Sequence, residues 1–208
     1  MLAILDCDGF EAAPLHKALE KLGAKTTPLT SASEIHRAAK IVVPNVKCYR
    51  RALATLRDAG MVPPLLTAID AGCPVLAVSG GMHLLFDVMR DATEHSGLGV
   101  VHGRVAKFDF GQHPAAKHFS AHHQGWNQVV WSGEVPLMSG LKSGDFFFFD
   151  HEAIAWPLDR RATVATANHG HEFCAAIQRD HVFGTQFLPE RSDAAGQSVL
   201  TNFVKQAV

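Results

Sequence analysis

Ser79 stands in the string Leu76-Ala77-Val78-Ser79-Gly80-Gly81-Met82-His83, where an apolar run meets two glycines. A nucleophile elbow reads G-x-S-x-G: small residues flank a strained turn, and the side chain projects above a sheet beside helix amides that can hold an oxyanion. Ala77-Val78-Ser79-Gly80-Gly81 matches this pattern with Ala in the first small position. A serine hydroxyl still needs a base within about 3 Å and a third group to orient that base. Two histidines are candidate bases. His83 lies four residues on, and His151 ends the apolar run Phe146-Phe147-Phe148-Phe149-Asp150. Glu190, in Phe187-Leu188-Pro189-Glu190-Arg191, could orient a base, but Leu188 beside it cannot accept a proton. The alternative is a structural serine at a tight turn, bonding helix amides.

The elements that must position these groups alternate in the first half of the chain. Leu2 to Asp6 reads as a buried strand, and Glu11 to Leu22 as a helix with Gly23 as its stop. Ser33 to Ala39 is expected to be a short helix, Ile41 to Val43 a strand and Pro44-Asn45 a turn. Tyr49 to Leu56 and Pro63 to Ile69 read as helices, Pro74 to Val78 as a strand, and a helix follows the elbow. Such β-α units predict a mostly parallel sheet covered on both faces. Ligands then sit beyond the carboxyl ends of the strands, at Asp6 to Glu11, Pro44 to Lys47, Val78 to His83 and Phe187 to Glu190.

After residue 100 short strands dominate. They are expected at Gly103 to Phe108, Asn127 to Val130, Asp145 to Phe149, Thr163 to Ala167, Glu172 to Gln178 and Val182 to Phe187, before a last helix from Ala194 to Ala207. The reading is one α/β domain over residues 1–208, with a mostly parallel, mixed central sheet flanked by helices.

Bulk properties exclude several function classes. The chain has 208 residues, 47% of them hydrophobic, and a formal charge of -1, a balance that attracts neither nucleic acid nor an anionic membrane. No apolar run approaches the roughly 20 residues that span a bilayer. The N-terminus lacks a basic lead, so a cytoplasmic protein with reduced, mostly buried cysteines (Cys7, Cys48, Cys73, Cys174) is expected. Thirteen histidines include His113, His118, His122 and His123 close together, and His169 and His171 around Gly170. Such spacing could hold a transition metal, but there is no Cys pair and no HExxH; no metal or cofactor is expected.

Several ordered motifs then point to one family. Pro74-Val75-Leu76 precedes the elbow, Ser96-Gly97-Leu98-Gly99 and Gly103-Arg104-Val105 follow, and Gly125-Trp126-Asn127 comes next. Gly184-Thr185-Gln186-Phe187-Leu188-Pro189-Glu190-Arg191-Ser192 answers to G-T-Q-F-H-P-E-K-S, and Asn202-Phe203 falls near the end. In these motifs the chain resembles the class I (triad) glutamine amidotransferases, most closely the glutaminase subunits of imidazole glycerol phosphate synthase, nearly from end to end. The resemblance implies a flavodoxin-like fold and a partner of the (β/α)8 cyclase type, with homo-oligomerisation as another use of the docking face.

The resemblance also implies a catalytic triad of cysteine, histidine and glutamate, whose aligned positions here hold Ser79, Leu188 and Glu190. The family's P-G-V-G loop, associated with the oxyanion hole, reads Pro44-Asn45-Val46-Lys47, and the glutamine that closes the elbow motif is His83. The residues therefore predict a degenerate triad: a partner-binding or regulatory protein unable to hydrolyse glutamine. A second reading is a hydrolase or amidotransferase of altered chemistry, with Ser79 as nucleophile and His83 or His151 as base. A third is ordinary glutaminase activity carried by substitute residues.

Overall fold

The computed structural model describes residues 1–90, 94–111 and 118–206. Five parallel strands form the centre of the molecule: β1 (Leu2–Leu5), β2 (Thr26–Leu29), β3 (Lys40–Val43), β4 (Val75–Val78) and, much later in the chain, β13 (Val182–Thr185). Two antiparallel strands, β11 (Thr163–Asn168) and β12 (Glu172–Arg179), extend it to seven in the order β11-β12-β13-β4-β3-β1-β2. This is the mixed α/β sheet that the alternating pattern predicts.

Strands such as Lys40-Ile-Val-Val43 and Val75-Leu-Ala-Val78 are buried at every position, and apolar at all but Lys40, because helices cover both faces. Successive side chains point to opposite faces, and the core divides accordingly. Ala3, Leu5, Ile41, Val43, Val75 and Ala77 pack with Leu53 and Leu56 of α3 (Tyr49–Asp58) and Leu65 of α4 (Val62–Asp70). On the other face, Ile4, Val42, Leu76 and Val78 meet Leu15 and Leu19 of α1 (Ala12–Lys21) and Val199, Leu200 and Phe203 of α6 (Asp193–Lys205). The short α2 (Ala32–Ile35) opens with a capping box between Ser31 and Glu34.

The segment after the elbow departs from expectation. The helix there, α5, is one short turn, Gly80–Leu84, and Phe86–Arg90 is a strand, β5. Two glycines at its start weaken the helix, and Phe86 to Arg90 find partners in a second sheet instead. That sheet runs β10-β7-β5-β6, with β6 (Glu94–Ser96), β7 (Val101–Lys107) and β10 (Ala153–Pro157). A two-stranded ribbon, β8 (His123–Gln128) with β9 (Phe146–His151), sits apart and puts His123 directly opposite His151.

Candidate active site

The carboxyl ends of β3, β4 and β13 open on a cavity of about 750 Å³. Of the four junctions singled out from the sequence, residues of all but the Asp6 end of the first line it: Glu11, Asn45, Ser79 and Glu190 are examples. Ser79 is buried and has φ 50°, ψ -116°, a conformation that non-glycine residues adopt at a cost. Its N–H donates to Thr185 O at 2.6 Å, and its carbonyl accepts from the Met82 and His83 amides. The strand, strained turn and helix of an elbow are therefore present.

The elbow is built against the loop after β3. A Cβ on Gly80 would lie 2.3 Å from Val46 O, and one on Gly81 2.2 Å from Pro44 O. Only glycine permits this approach. The Gly80 N–H donates to Asn45 Oδ1 at 2.9 Å.

Neither candidate base has a nitrogen to spare for Ser79. His83 is fully buried; its Nε2 lies 2.7 Å from Gln186 Oε1 and its Nδ1 2.7 Å from the Tyr49 hydroxyl. Since Gln186 Oε1 only accepts, Nε2 carries the proton and Nδ1 accepts from Tyr49. Burial drives the His83 pKa down to about 4, against a smaller opposing effect of the Gln186 bond. His151 donates from Nδ1 to Ala153 O at 2.9 Å, so its Nε2 accepts from His123 Nδ1 at 3.0 Å. His123 Nε2 in turn accepts from the Asn127 amide at 3.2 Å. Burial holds His151 well below its usual pKa and takes His123 to about 4, with His169 and His122 adding to the second shift. Both candidate bases are committed to other partners, which corrects the reading of a Ser79 nucleophile served by His83 or His151.

The wall from β13 is different. Leu188 is buried in the apolar core, its N–H bonded to Phe148 O and its carbonyl accepting from the Ser192 hydroxyl. Two residues on, in a 3₁₀ turn (Pro189–Arg191), Glu190 lines the cavity. Its Oε2 is sealed from solvent and has no hydrogen-bond partner among the described residues, although the residue as a whole is only partly buried. Burial lifts its carboxyl pKa to about 7, within reach of proton exchange at neutral pH.

The histidine-rich region carries no metal geometry: among the described residues, no three His, Cys, Asp or Glu side chains are placed to hold an ion. His113 lies outside the described residues. His123 instead stacks on His169 at 4.2 Å between ring centroids and packs on Phe149 at 4.7 Å. No helix of the described chain is long and apolar enough to cross a membrane. Sequence reasoning missed Tyr49 and Gln186 as the groups that commit His83; the pairing joins residues 34 and 103 positions away from it, and no local signal carries it.

The family model of glutamine amidotransferase class-I matches residues 3–207. Over 203 residues the chain is 33% identical to the imidazole glycerol phosphate synthase subunit HisH of Syntrophotalea carbinolica, covering 98% of each chain. It is 34% identical to the corresponding subunit of Salinibacter ruber, covering 98% of this chain and 93% of that one. Among solved structures, PurLQS from Thermotoga maritima superposes with a TM-score of 0.75 at 15% identity, over 98% and 96% of the two chains. A glutamine amidotransferase crystal structure superposes with a TM-score of 0.74, also at 15% identity, over 98% and 97%. At that identity the likeness is one of fold.

These findings correct the expectation of a degenerate triad and an inactive, merely partner-binding or regulatory protein. That expectation counted the serine at 79 and the leucine at 188 as the end of thiol chemistry. The chain keeps a thiol in Cys7, which follows β1 and is half-buried, with Leu29 O at 3.5 Å and Met61 Sδ at 3.6 Å. Burial, then the charges of Asp6 and Glu34, push that thiol up from its usual pKa. With a thiol retained and the family pattern matched along the chain, substitution at two positions does not establish loss of activity.

Proposed function

The chain belongs to the class I glutamine amidotransferases, and from that premise we propose that it is the glutamine-handling subunit of a two-component synthase. The side-chain amide of glutamine would react with water in the cleft, giving glutamate and ammonia. A separate subunit, of the (β/α)8 cyclase type, would take up the ammonia. The observation that carries this reading is the strained elbow at Ser79, set at the carboxyl edge of the sheet over a cavity of about 750 Å³. Relatives that match it nearly end to end are subunits of imidazole glycerol phosphate synthase.

Glu190 is the group we assign to proton transfer in this cleft. Its sealed oxygen has no protein partner among the described residues, and its pKa of about 7 suits an acid or base at neutral pH. The test is glutamate release by the purified chain, with and without the cyclase subunit from the same source. Release that depends on the partner is expected, and Glu190→Gln should lower it by roughly 10²-fold. A complex that releases no glutamate above the uncatalysed rate overturns the reading. The Cys7→Ala variant decides whether the retained thiol takes part: an unchanged rate excludes it.

A further inference from the structure

We propose that Asn45 is a built-in ligand of the elbow: its side-chain carboxamide occupies the Gly80 N–H that the carbonyl oxygen of a bound carboxamide would otherwise accept from. The inference rests on the glutamine-handling reading for the identity of the displaced ligand, and on geometry alone for the contact itself.

In an elbow, the backbone N–H after the turn residue is the donor aimed at the ligand's developing oxyanion. Here that residue is Gly80, and its N–H is already bonded to Asn45 Oδ1 at 2.9 Å. The occupying group is a primary carboxamide, the same functional group as the end of a glutamine side chain. Several contacts hold it in place. Asn45 Nδ2 donates to Glu11 Oε2 at 2.6 Å, and Lys47 Nζ meets Glu11 Oε1 at 2.9 Å. The Glu11 N–H donates to Asn45 O at 2.9 Å, and Phe10 and Val46 form an antiparallel bridge alongside. Thus both ends of the carboxamide are engaged, its oxygen on the elbow and its nitrogen on a carboxylate. The facing wall carries the sealed Glu190 Oε2, an acceptor with no protein donor among the described residues. The cleft therefore has its elbow donor, the Gly80 N–H, already occupied. A ligand amide whose oxygen uses the Gly80 N–H must displace Asn45 Oδ1 first.

A neutral hydrogen bond contributes roughly 0.5–1.5 kcal/mol net, so releasing the competitor should raise affinity by about two- to tenfold. The experiment uses the full chain labelled with ¹⁵N, comparing wild type, Asn45→Ala and Glu11→Ala. Exchange of the Gly80 amide proton and its shift on adding L-glutamine or, separately, acetamide are measured. Both variants should speed Gly80 exchange, and both ligands should bind more tightly to Asn45→Ala than to wild type. Glu11→Ala releases only the nitrogen end and leaves the loop backbone intact, so it serves if Asn45→Ala folds poorly. Gly80 exchange that stays at the wild-type rate in both variants overturns the contact. A freed Gly80 amide with no gain in acetamide affinity overturns its role as a competitor. Acetamide that responds while glutamine stays silent in every form supports Asn45 as the competitor and sinks the glutamine reading alone.

Discussion

The two walls of the cleft treat their polar groups in opposite ways. On the elbow side, Gly80, Asn45, Glu11 and Lys47 form one continuous chain of hydrogen bonds and an ion pair. On the β13 side, Glu190 Oε2 is sealed from solvent with no partner among the described residues, and so is Nε2 of Gln186, a core residue that does not line the cleft. Unmet buried polar groups are costly and concentrate where a protein has work to do. The difference assigns separate tasks to the walls. The elbow wall is held together by packing and hydrogen bonds, whereas the β13 wall leaves a cleft-lining residue, Glu190, with an unpaired buried oxygen.

Breaking the packed wall should have the largest effect. A Cβ on Gly81 would lie 2.2 Å from Pro44 O and 2.6 Å from Val43 O, both backbone atoms that cannot swing aside. Gly81→Ala is expected to destabilise the chain by about 3 kcal/mol, the upper end for overpacking. Denaturant melts at equal slope would check it, and a midpoint equal to wild type would show that the loop after β3 yields. A smaller effect of opposite sign is expected on the other wall. The Glu190 carboxyl is raised to about 7 in the folded chain from an ordinary 4.5. A raised pKa means the folded state holds its proton longer than the unfolded one. The stability linked to it is complete below about pH 4.5 and is lost as pH rises through about 7. Glu190→Gln, neutral throughout, should match wild type at acid pH. Its advantage should grow between those limits, then level off on the order of 2–3 kcal/mol. Unfolding measured from pH 4 to 8 tests this, and a difference that stays flat across the range would remove the proton-exchanging role given to Glu190.

How far the sequence revealed these walls depends on the range of the contacts involved. The parallel core was legible because strands such as Val75 to Val78 are apolar at every position and are followed or preceded by helical spacing. The elbow was legible because its glycines are local and their purpose is steric. The strand Phe86–Arg90 is not legible beside the elbow because its partners are β6 and β7, which lie later in the chain. Alternative bases were misjudged for the same reason. His83 and His151 look available from their neighbours, but their nitrogens are taken by Gln186, Tyr49, His123 and the Ala153 carbonyl. Glu190 was legible as a residue and not as an environment, since only the folded chain seals its oxygen.

The smallest effect sharpens the comparison at the seam between the walls, where His83 links α5 to β13. Gln186 Oε1 fixes the proton on Nε2, and Tyr49, at the first position of α3, supplies the proton that Nδ1 accepts. Tyr49→Phe removes that donor and leaves a fully buried acceptor unsatisfied, at a cost of about 1–2 kcal/mol. The tautomer should survive, because the Gln186 bond is untouched. ¹⁵N spectra of the imidazole should therefore keep the Nε2–H signal, while the Nδ1 resonance shifts as its hydrogen bond is lost. If instead Nδ1 becomes protonated in Tyr49→Phe, Gln186 does not set the tautomer. His83 would then carry its unprotonated nitrogen on the Gln186 side, and the division between a satisfied wall and an open one would have to be redrawn around it.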